Sequence, residues 1–214
     1  MRYPKLDDRL QAAADLFPHC RYAADIGADH GRLSCYLIYS GKCDRMLVSD
    51  ISAESLSKAQ ALLTLHDLAD RADFCVADGL DALKEHESVC CAAICGMGGR
   101  LISRILLDGK DVLNGTSLVL SAHTDVPLVR QALAQIDYTI TAERIVRAKR
   151  RFYVLMRAEP GSTSYDEREL YLGPMLIRDE QPLWKAYLKW REGVVACEAG
   201  HDQQLTWIRE ELAK

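Results

Sequence analysis

The chain has 214 residues, of which 49% are hydrophobic and 27% charged, and its net charge is -4 at pH 7. That suits a folded α/β domain with a modest appendage. It excludes a membrane helix, for want of any window of roughly 18 to 20 uncharged apolar residues, and a chain basic enough overall to bind nucleic acid by net charge. In chain order, Leu6 to Leu16 has apolar residues at helical spacing, and Pro18 stops it. Tyr22 to Ile26 is a first strand, and Leu33 to Ser40 a helix. Met46 to Ser49 is a second strand, ending at Asp50. Ser52 is an N-cap for a helix through Leu65, with Ser52-Ala53-Glu54-Ser55 one residue short of a capping box. Ala72 to Ala77 is a third strand ending at Asp78-Gly79, and Cys90 to Cys95 a fourth, nearly all apolar as a strand buried on both faces must be.

A helix from Arg100 to Leu107 follows Gly96-Met97-Gly98-Gly99, then a strand from Ser117 to Ser121 and a helix from Val126 to Gln135. Tyr138 to Arg147 and Arg151 to Ala158 alternate around a basic turn, as a hairpin does. Repeated β-then-α with a final antiparallel pair predicts a mostly parallel, doubly wound α/β sheet closed by that hairpin. Glu159 to Ser164 is a break in composition, which divides the chain into residues 1–160 and a helical part, 161–214. The latter reads as helices over Tyr165 to Arg178 and Pro182 to Leu212, a coiled-coil-like hairpin packed on itself, weakened at Gly193 and Gly200 by about 1 kcal/mol each. Eight cysteines, mostly in apolar runs and without a Cys-x-x-Cys pair, predict reduced, mainly buried thiols and no metal site. With no apolar stretch in the first nine residues for a secretory signal, a cytoplasmic location is expected.

In an open parallel sheet a ligand sits beyond the carboxyl ends of the strands, and the polar residues of this sequence gather there. Ala24-Asp25-Ile26-Gly27-Ala28-Asp29-His30-Gly31 places two carboxylates around a glycine in the first turn. They would repel a pyrophosphate and attract an ammonium or sulfonium. Asp29 also stands where a nicotinamide-binding Gly-x-Gly-x-x-Gly needs its second glycine. A Rossmann-like methyltransferase binding S-adenosylmethionine fits instead. Asp25, Gly27 and Asp29 would meet its methionine part, Asp50 its ribose and Asp78-Gly79 its adenine, with Ile51 and Gly96-Met97 as further cofactor-binding candidates. Each aspartate alone suits a helix cap equally well; their concurrence at three strand ends around Gly27 points to a ligand.

These motifs resemble those of a known family, the bacterial tRNA (adenine-22-N1)-methyltransferases. The resemblance is carried by the Arg9-Leu10 helix, Ala24 to His30, Asp78-Gly79-Leu80, Gly96-Met97-Gly98-Gly99 and Tyr171-Leu172-Gly173-Pro174. It implies a Rossmann-like methyltransferase domain with a helical, coiled-coil-like C-terminal domain, S-adenosylmethionine as methyl donor, and tRNA adenine N1 as acceptor. Two departures stand out: Ser121-Ala122-His123-Thr124-Asp125 replaces a Gln-Pro-Asn type of turn, and Asp50 stands where some relatives have Glu.

Methylation of adenine N1 uses an in-plane lone pair on the pairing edge, so the base must be unpaired or flipped. Positioning and desolvation are then the main catalytic tasks. Asp29 and His30 are the candidates beside the developing positive charge; His30 serves equally as a loop hydrogen bond. Gly98, Gly99 and His123 are candidates for the substrate side, the glycines suiting also a tight strand-to-helix turn. Arg144, Arg147, Lys149, Arg150 and Arg151 are the densest basic run, fit for tRNA phosphates or simply a solvated hairpin tip. Phe152 and Tyr153 follow, one for the core and one free to stack. Lys185, Lys189 and Arg191 beside Tyr187 and Trp190 offer a second arm for a folded RNA. The alternatives are an enzyme of the same fold acting on another RNA site or a small molecule, and an RNA-binding protein without turnover; three retained strand-end acids speak against the latter.

Overall fold

Successive side chains of a strand point to opposite faces, so strands apolar at nearly every position must be covered on both sides. The computed structural model, which describes residues 5–86, 88–179, 181–197 and 200–214, has that arrangement. The strands are β1 (Cys20–Ile26), β2 (Cys43–Asp50), β3 (Ala72–Val76), β4 (Cys91–Met97), β5 (Ser117–Ala122), β6 (Tyr138–Ala148) and β7 (Arg151–Pro160). They form one sheet in the order β3-β2-β1-β4-β5-β7-β6. β1 to β5 are parallel, and β7 pairs antiparallel with both β5 and β6. The strand order reverses between β1 and β4, and a ligand of such a sheet lies over that switch point.

One face is covered by α1 (Asp8–Leu16), α2 (Arg32–Tyr39) and α3 (Ala53–Leu65), through Ala13, Leu33, Leu37 and Leu63 against Ala23, Met46 and Val48. Asp7 caps α1 by accepting from the Leu10 N–H at 2.8 Å, and Ser52 caps α3 from Ser55 at 3.2 Å. The opposite face carries α4 (Gly99–Asp108) and α5 (Val126–Gln135), through Ile102, Leu106, Val129 and Leu133. The same apolar layer continues into α6 (Glu167–Leu172), α7 (Pro174–Arg178), α8 (Trp184–Val195) and α9 (Asp202–Leu212), by way of Leu176, Tyr187, Leu188 and Ile208.

Three features differ from the sequence expectation. β4 runs on to Met97, with an irregular register between Cys95 and Met97, so Gly96 belongs to the strand end. The single helix expected over Tyr165 to Arg178 is two. Asp166 and Glu169 form a capping box for α6, Gly173 at φ 110 ends it, and Pro174 starts α7. The helix expected over Pro182 to Leu212 is likewise divided into α8 and α9, with Gly200 at φ 85 in the connection. Residues 198 and 199 of that stretch, and residues 1–4 of the opening stretch, lie outside the described residues. α8 packs on the sheet as well as on α9: the Phe152 ring of β7 lies 6.0 Å from Tyr187 and 5.6 Å from Trp190.

A buried polar junction joins the C-terminal helices to the sheet. Arg130 on α5 and Glu143 on β6 pair at 2.8 Å with both side chains fully buried. Arg130 also donates to the carbonyls of Leu170 and Tyr171 at 2.7 and 3.1 Å. Glu143 accepts from the N–H groups of Met175 and Leu176 at 3.1 and 3.4 Å. A Cβ on Gly173 would stand 2.6 Å from Glu143 Oε2 and 2.7 Å from Arg130 Nη2, so the pair also accounts for a glycine there.

Candidate active site

The chain leaves β1 through a tight loop in which Gly27, Asp29 and Gly31 have φ of 70, 51 and 64°. Glycine bears that conformation without cost, and aspartate tolerates it better than most residues. At Gly27 the space is taken as well: a Cβ would collide with Met97 Cε at the end of β4. Asp50 braces the loop from β2, accepting the Asp29 N–H at 3.0 Å on one oxygen and the Ser52 N–H at 2.8 Å on the other. His30 donates through Nδ1 to the Asp29 carboxylate at 2.7 Å. A carboxylate here only accepts, so the proton is on Nδ1 and Nε2 keeps its lone pair or a second proton.

Asp25 is buried at the base of the loop, where Ser34 Oγ of α2 donates to it at 2.7 Å. Burial pushes its carboxyl up to about 6; Ser34 opposes the rise and the charge of Asp50 adds to it. A cavity of about 480 Å³ opens above, at the carboxyl ends of β1 and β4. Asp25, Gly27, Asp29, His30, Gly96, Met97 and His123 all line it. Residues far apart in sequence thus meet at the switch point of the sheet.

Other candidates lie elsewhere. Asp50 is behind the loop, and Ile51 beside it is 68% exposed. Asp78 and Gly79 line a separate hollow of about 290 Å³, with Arg104 and Asp108. Gly98 and Gly99 face the turn after β5: a Cβ on Gly99 would collide with the carbonyls of Thr124 and Asp125, and one on Gly98 would touch Thr124 Oγ1 at 3.4 Å. The basic run is spread over two faces of the hairpin. Arg144 bridges Asp15 of α1 at 3.5 Å. Arg147 lies 5.7 Å over the Phe152 ring on the opposite face. Lys149 (φ 56°) and Arg150 are exposed at the tip.

The sequence reading missed Arg9 as a site residue, and it had Tyr153 only as one of two candidates to stack on RNA. Arg9 of α1 reaches the cavity wall, donates to His123 Nε2, and sits 5.5 Å over the Tyr153 ring. Tyr153 in turn meets the His123 ring edge to face at 5.5 Å. The one available signal was strand alternation: Phe152 takes the side of α8, which sends Tyr153 to the side of α1. His123 is open to solvent on one side, but its packed side is not. Burial holds its imidazole below the usual histidine range, and the cations Arg9 and Arg151 act in the same direction against Asp7.

The family model described as tRNA (adenine(22)-N(1))-methyltransferase matches residues 23–203. The Bacillus subtilis tRNA (adenine(22)-N(1))-methyltransferase is 29% identical over 206 residues, covering 93% of this chain and 85% of its own length. Among solved structures, Streptococcus pneumoniae Sp1610 in complex with S-adenosyl-L-methionine superposes with a TM-score of 0.90 at 24% identity, covering 97% of this chain and 100% of that one. M. capricolum TrmK in complex with S-adenosyl-homocysteine superposes with a TM-score of 0.79 at 22% identity, covering 97% and 95%. At those identities the superpositions speak for the fold. Matched by the family model over most of its length, the chain belongs to the tRNA (adenine(22)-N(1))-methyltransferase family.

Proposed function

We propose that the protein transfers a methyl group from S-adenosylmethionine to N1 of adenine 22 in tRNA, within the cavity over β1 and β4. The observation that carries this reading is the convergence of Asp25, Asp29 and His30 on the Gly27 turn, inside one cavity at the switch point. The residues fit the methyl donor. Asp25 is a buried carboxyl that no cation offsets among the described residues, and the donor's ammonium supplies one. α2 starts at Gly31 without a side-chain cap, so its first-turn N–H groups suit a carboxylate. Asp50 keeps lone pairs for ribose hydroxyls, while Ile51 and Asp78-Gly79 would flank the adenine and Gly96-Met97 the sulfur side. S-adenosylmethionine, when bound, supplies a methyl on a sulfonium that needs no further activation.

The protein's own tasks are to hold the base in line, exclude water and meet the charge that develops on adenine. Asp29, with His30 hydrogen-bonded to it, would meet that charge. Residues 1–160 would perform the transfer and residues 161–214 form an arm for the folded RNA, in the cytoplasm. Arg144, Arg147, Lys149 and Arg150 would hold phosphates on the hairpin side, with Lys185, Lys189 and Arg191 contributing from α8.

Nucleosides from unmodified tRNA transcripts, incubated with the protein and S-adenosylmethionine, are expected to contain 1-methyladenosine by mass spectrometry. The product should vanish when adenine 22 is replaced; its persistence would move the target to another adenine. Gly27→Ala is expected to weaken S-adenosylmethionine binding about tenfold or more, since the left-handed backbone alone costs a residue with a Cβ about 1–2 kcal/mol. Unchanged affinity by calorimetry would remove the turn from the binding site. Replacing Arg147, Lys149 and Arg150 together with Glu is expected to weaken tRNA binding and flatten its salt dependence, sparing the methyl donor. Equal loss of both ligands would refute that surface.

A further inference from the structure

On the β5 side of the cavity, side chains from α1, the turn after β5 and β7 form one cluster: Arg9, His123 and Tyr153. Arg9 stacks its guanidinium over the Tyr153 ring and donates to His123 Nε2, while Tyr153 and His123 meet edge to face. The cluster stands over the end of β4: a Cβ built on Gly96 would lie 3.8 Å from Arg9 Nη1. A guanidinium carries five N–H donors and no acceptor, and it keeps its proton in proteins. The nitrogen it donates to must therefore hold a lone pair, which leaves the imidazole proton on Nδ1.

We infer that Arg9, seated on Tyr153, is a positioning residue for methyl transfer that locks His123 in the Nδ1–H tautomer where the target adenine enters. This rests on the reading of the cavity as the methyl-transfer site. On that reading the methyl donor would take the acidic loop after β1, which leaves the β4–β5 side, where this cluster stands, for the base. The chemistry explains why an uncharged imidazole belongs there. Adenine N1 needs a free lone pair to attack, and the ring gains positive charge as it does. An imidazolium would set a positive charge beside a ring that is gaining one, whereas a neutral ring with a fixed Nδ1–H can orient the base through one of its acceptors without opposing that charge.

The groups around His123 support the uncharged form. α1 contributes Arg9 and Asp7, β7 contributes Arg151 and Tyr153, and its own turn contributes Asp125, which Arg100 of α4 meets at 3.7 Å. Across the cavity stand Asp25, Asp29, His30 and Arg32. Burial, Arg9 and Arg151 disfavour a charge on His123, and Asp7 opposes them. Asp7, 3.5 Å from the guanidinium, offsets part of the charge of Arg9.

Nitrogen–proton correlation spectra of the 15N-labelled full-length protein are expected to show His123 as the Nδ1–H tautomer at pH 7. Arg9→Met is expected to lose that pattern. It should also acquire an acid limb in kcat for tRNA methylation, falling about tenfold per pH step below the ordinary histidine value of about 6.5. Arg9→Lys, which keeps a donor-only cation, should retain both the tautomer and the wild-type profile, and it serves if the Met variant fails to fold. An Nε2–H tautomer in the wild type, or an Arg9→Met profile parallel to the wild type, overturns the inference. No methyl transfer by the wild type overturns the functional reading itself, whereas methyl transfer with an Nε2–H His123 overturns this inference alone.

Discussion

Asp25→Asn is expected to make the ligand-free protein more stable at pH 7 while abolishing S-adenosylmethionine binding. The carboxyl is 4% exposed and is pushed up to about 6 by burial, against an ordinary value of 3.8. A factor of ten in proton affinity is worth about 1.4 kcal/mol, so holding the ionised form inside the fold costs about 3 kcal/mol at pH 7. The sign follows from which state binds more protons. Below about pH 4 both folded and unfolded chains carry the proton and nothing is lost. Between about 4 and 6 the unfolded chain ionises while the folded one resists, so this contribution falls as pH rises; above 6 the cost is constant. An asparagine side chain stays neutral throughout and can still accept from Ser34 Oγ.

Thermal unfolding of the two proteins from pH 4 to pH 8 checks this. The variant's advantage should be near zero at pH 4 and full above pH 6, and an advantage independent of pH would show that the charge is not its source. Calorimetry supplies the other half. The donor's ammonium should relieve the wild-type carboxylate and drive out its proton, so binding near pH 6 should release protons from the wild type and not from the Asp25→Asn variant. On the proposed reading, the cationic donor would supply the charge partner that this buried carboxylate lacks.

Arg130→Met is expected to be among the most destabilising single changes in the chain, by about 3–5 kcal/mol. The substitution leaves Glu143 buried without its cation and strips the carbonyls of Leu170 and Tyr171 of their donor. For a chain of this size the melting temperature should drop by roughly 2–4 °C for each kcal/mol. Arg130→Met with Glu143→Leu should recover part of the loss, because two apolar side chains can share the space. The recovery stays partial, since the N–H groups of Met175 and Leu176 then lack the carboxylate that accepts them. Urea unfolding of both single variants and the double variant measures the coupling directly. A single-variant cost under about 1 kcal/mol would show that α6 and α7 dock on the sheet by apolar contact alone.

Arg130 and Glu143 also show where a linear reading stops. Arg130 lies in a helix with an apolar face, and Glu143 in an alternating strand; either would be taken for a solvent-facing residue. Both are enclosed because α6 and α7 return over them, a contact that spans 32 residues of chain from Glu143 to Met175. Gly173 shares that logic. The sequence reads as one helix through it; the chain breaks there instead, and the reason for a residue without a Cβ is the ion pair beneath it.

The strands, the order of elements and the first turn were legible from local rules. Apolar runs fit a sheet covered on both faces, Ser52 accepts the N–H that an N-cap should, and Gly27 lies where the backbone turns left-handed. These are decided by neighbours a few residues away, so the sequence by itself determined them, together with the acids at the strand ends and the family likeness. Which of those acids share one cavity was decided by tertiary structure. β1 and β4 are adjacent in the sheet though α2, β2, α3 and β3 lie between them in the chain. Their pairing brings Asp25, Asp29 and His30 to Gly96 and Met97, while Asp78 opens on a hollow of its own. Arg9 and Tyr153 joined His123 for the same reason. A side chain's period along an element fixes the face it takes, but only the packing of distant elements fixes what that face meets.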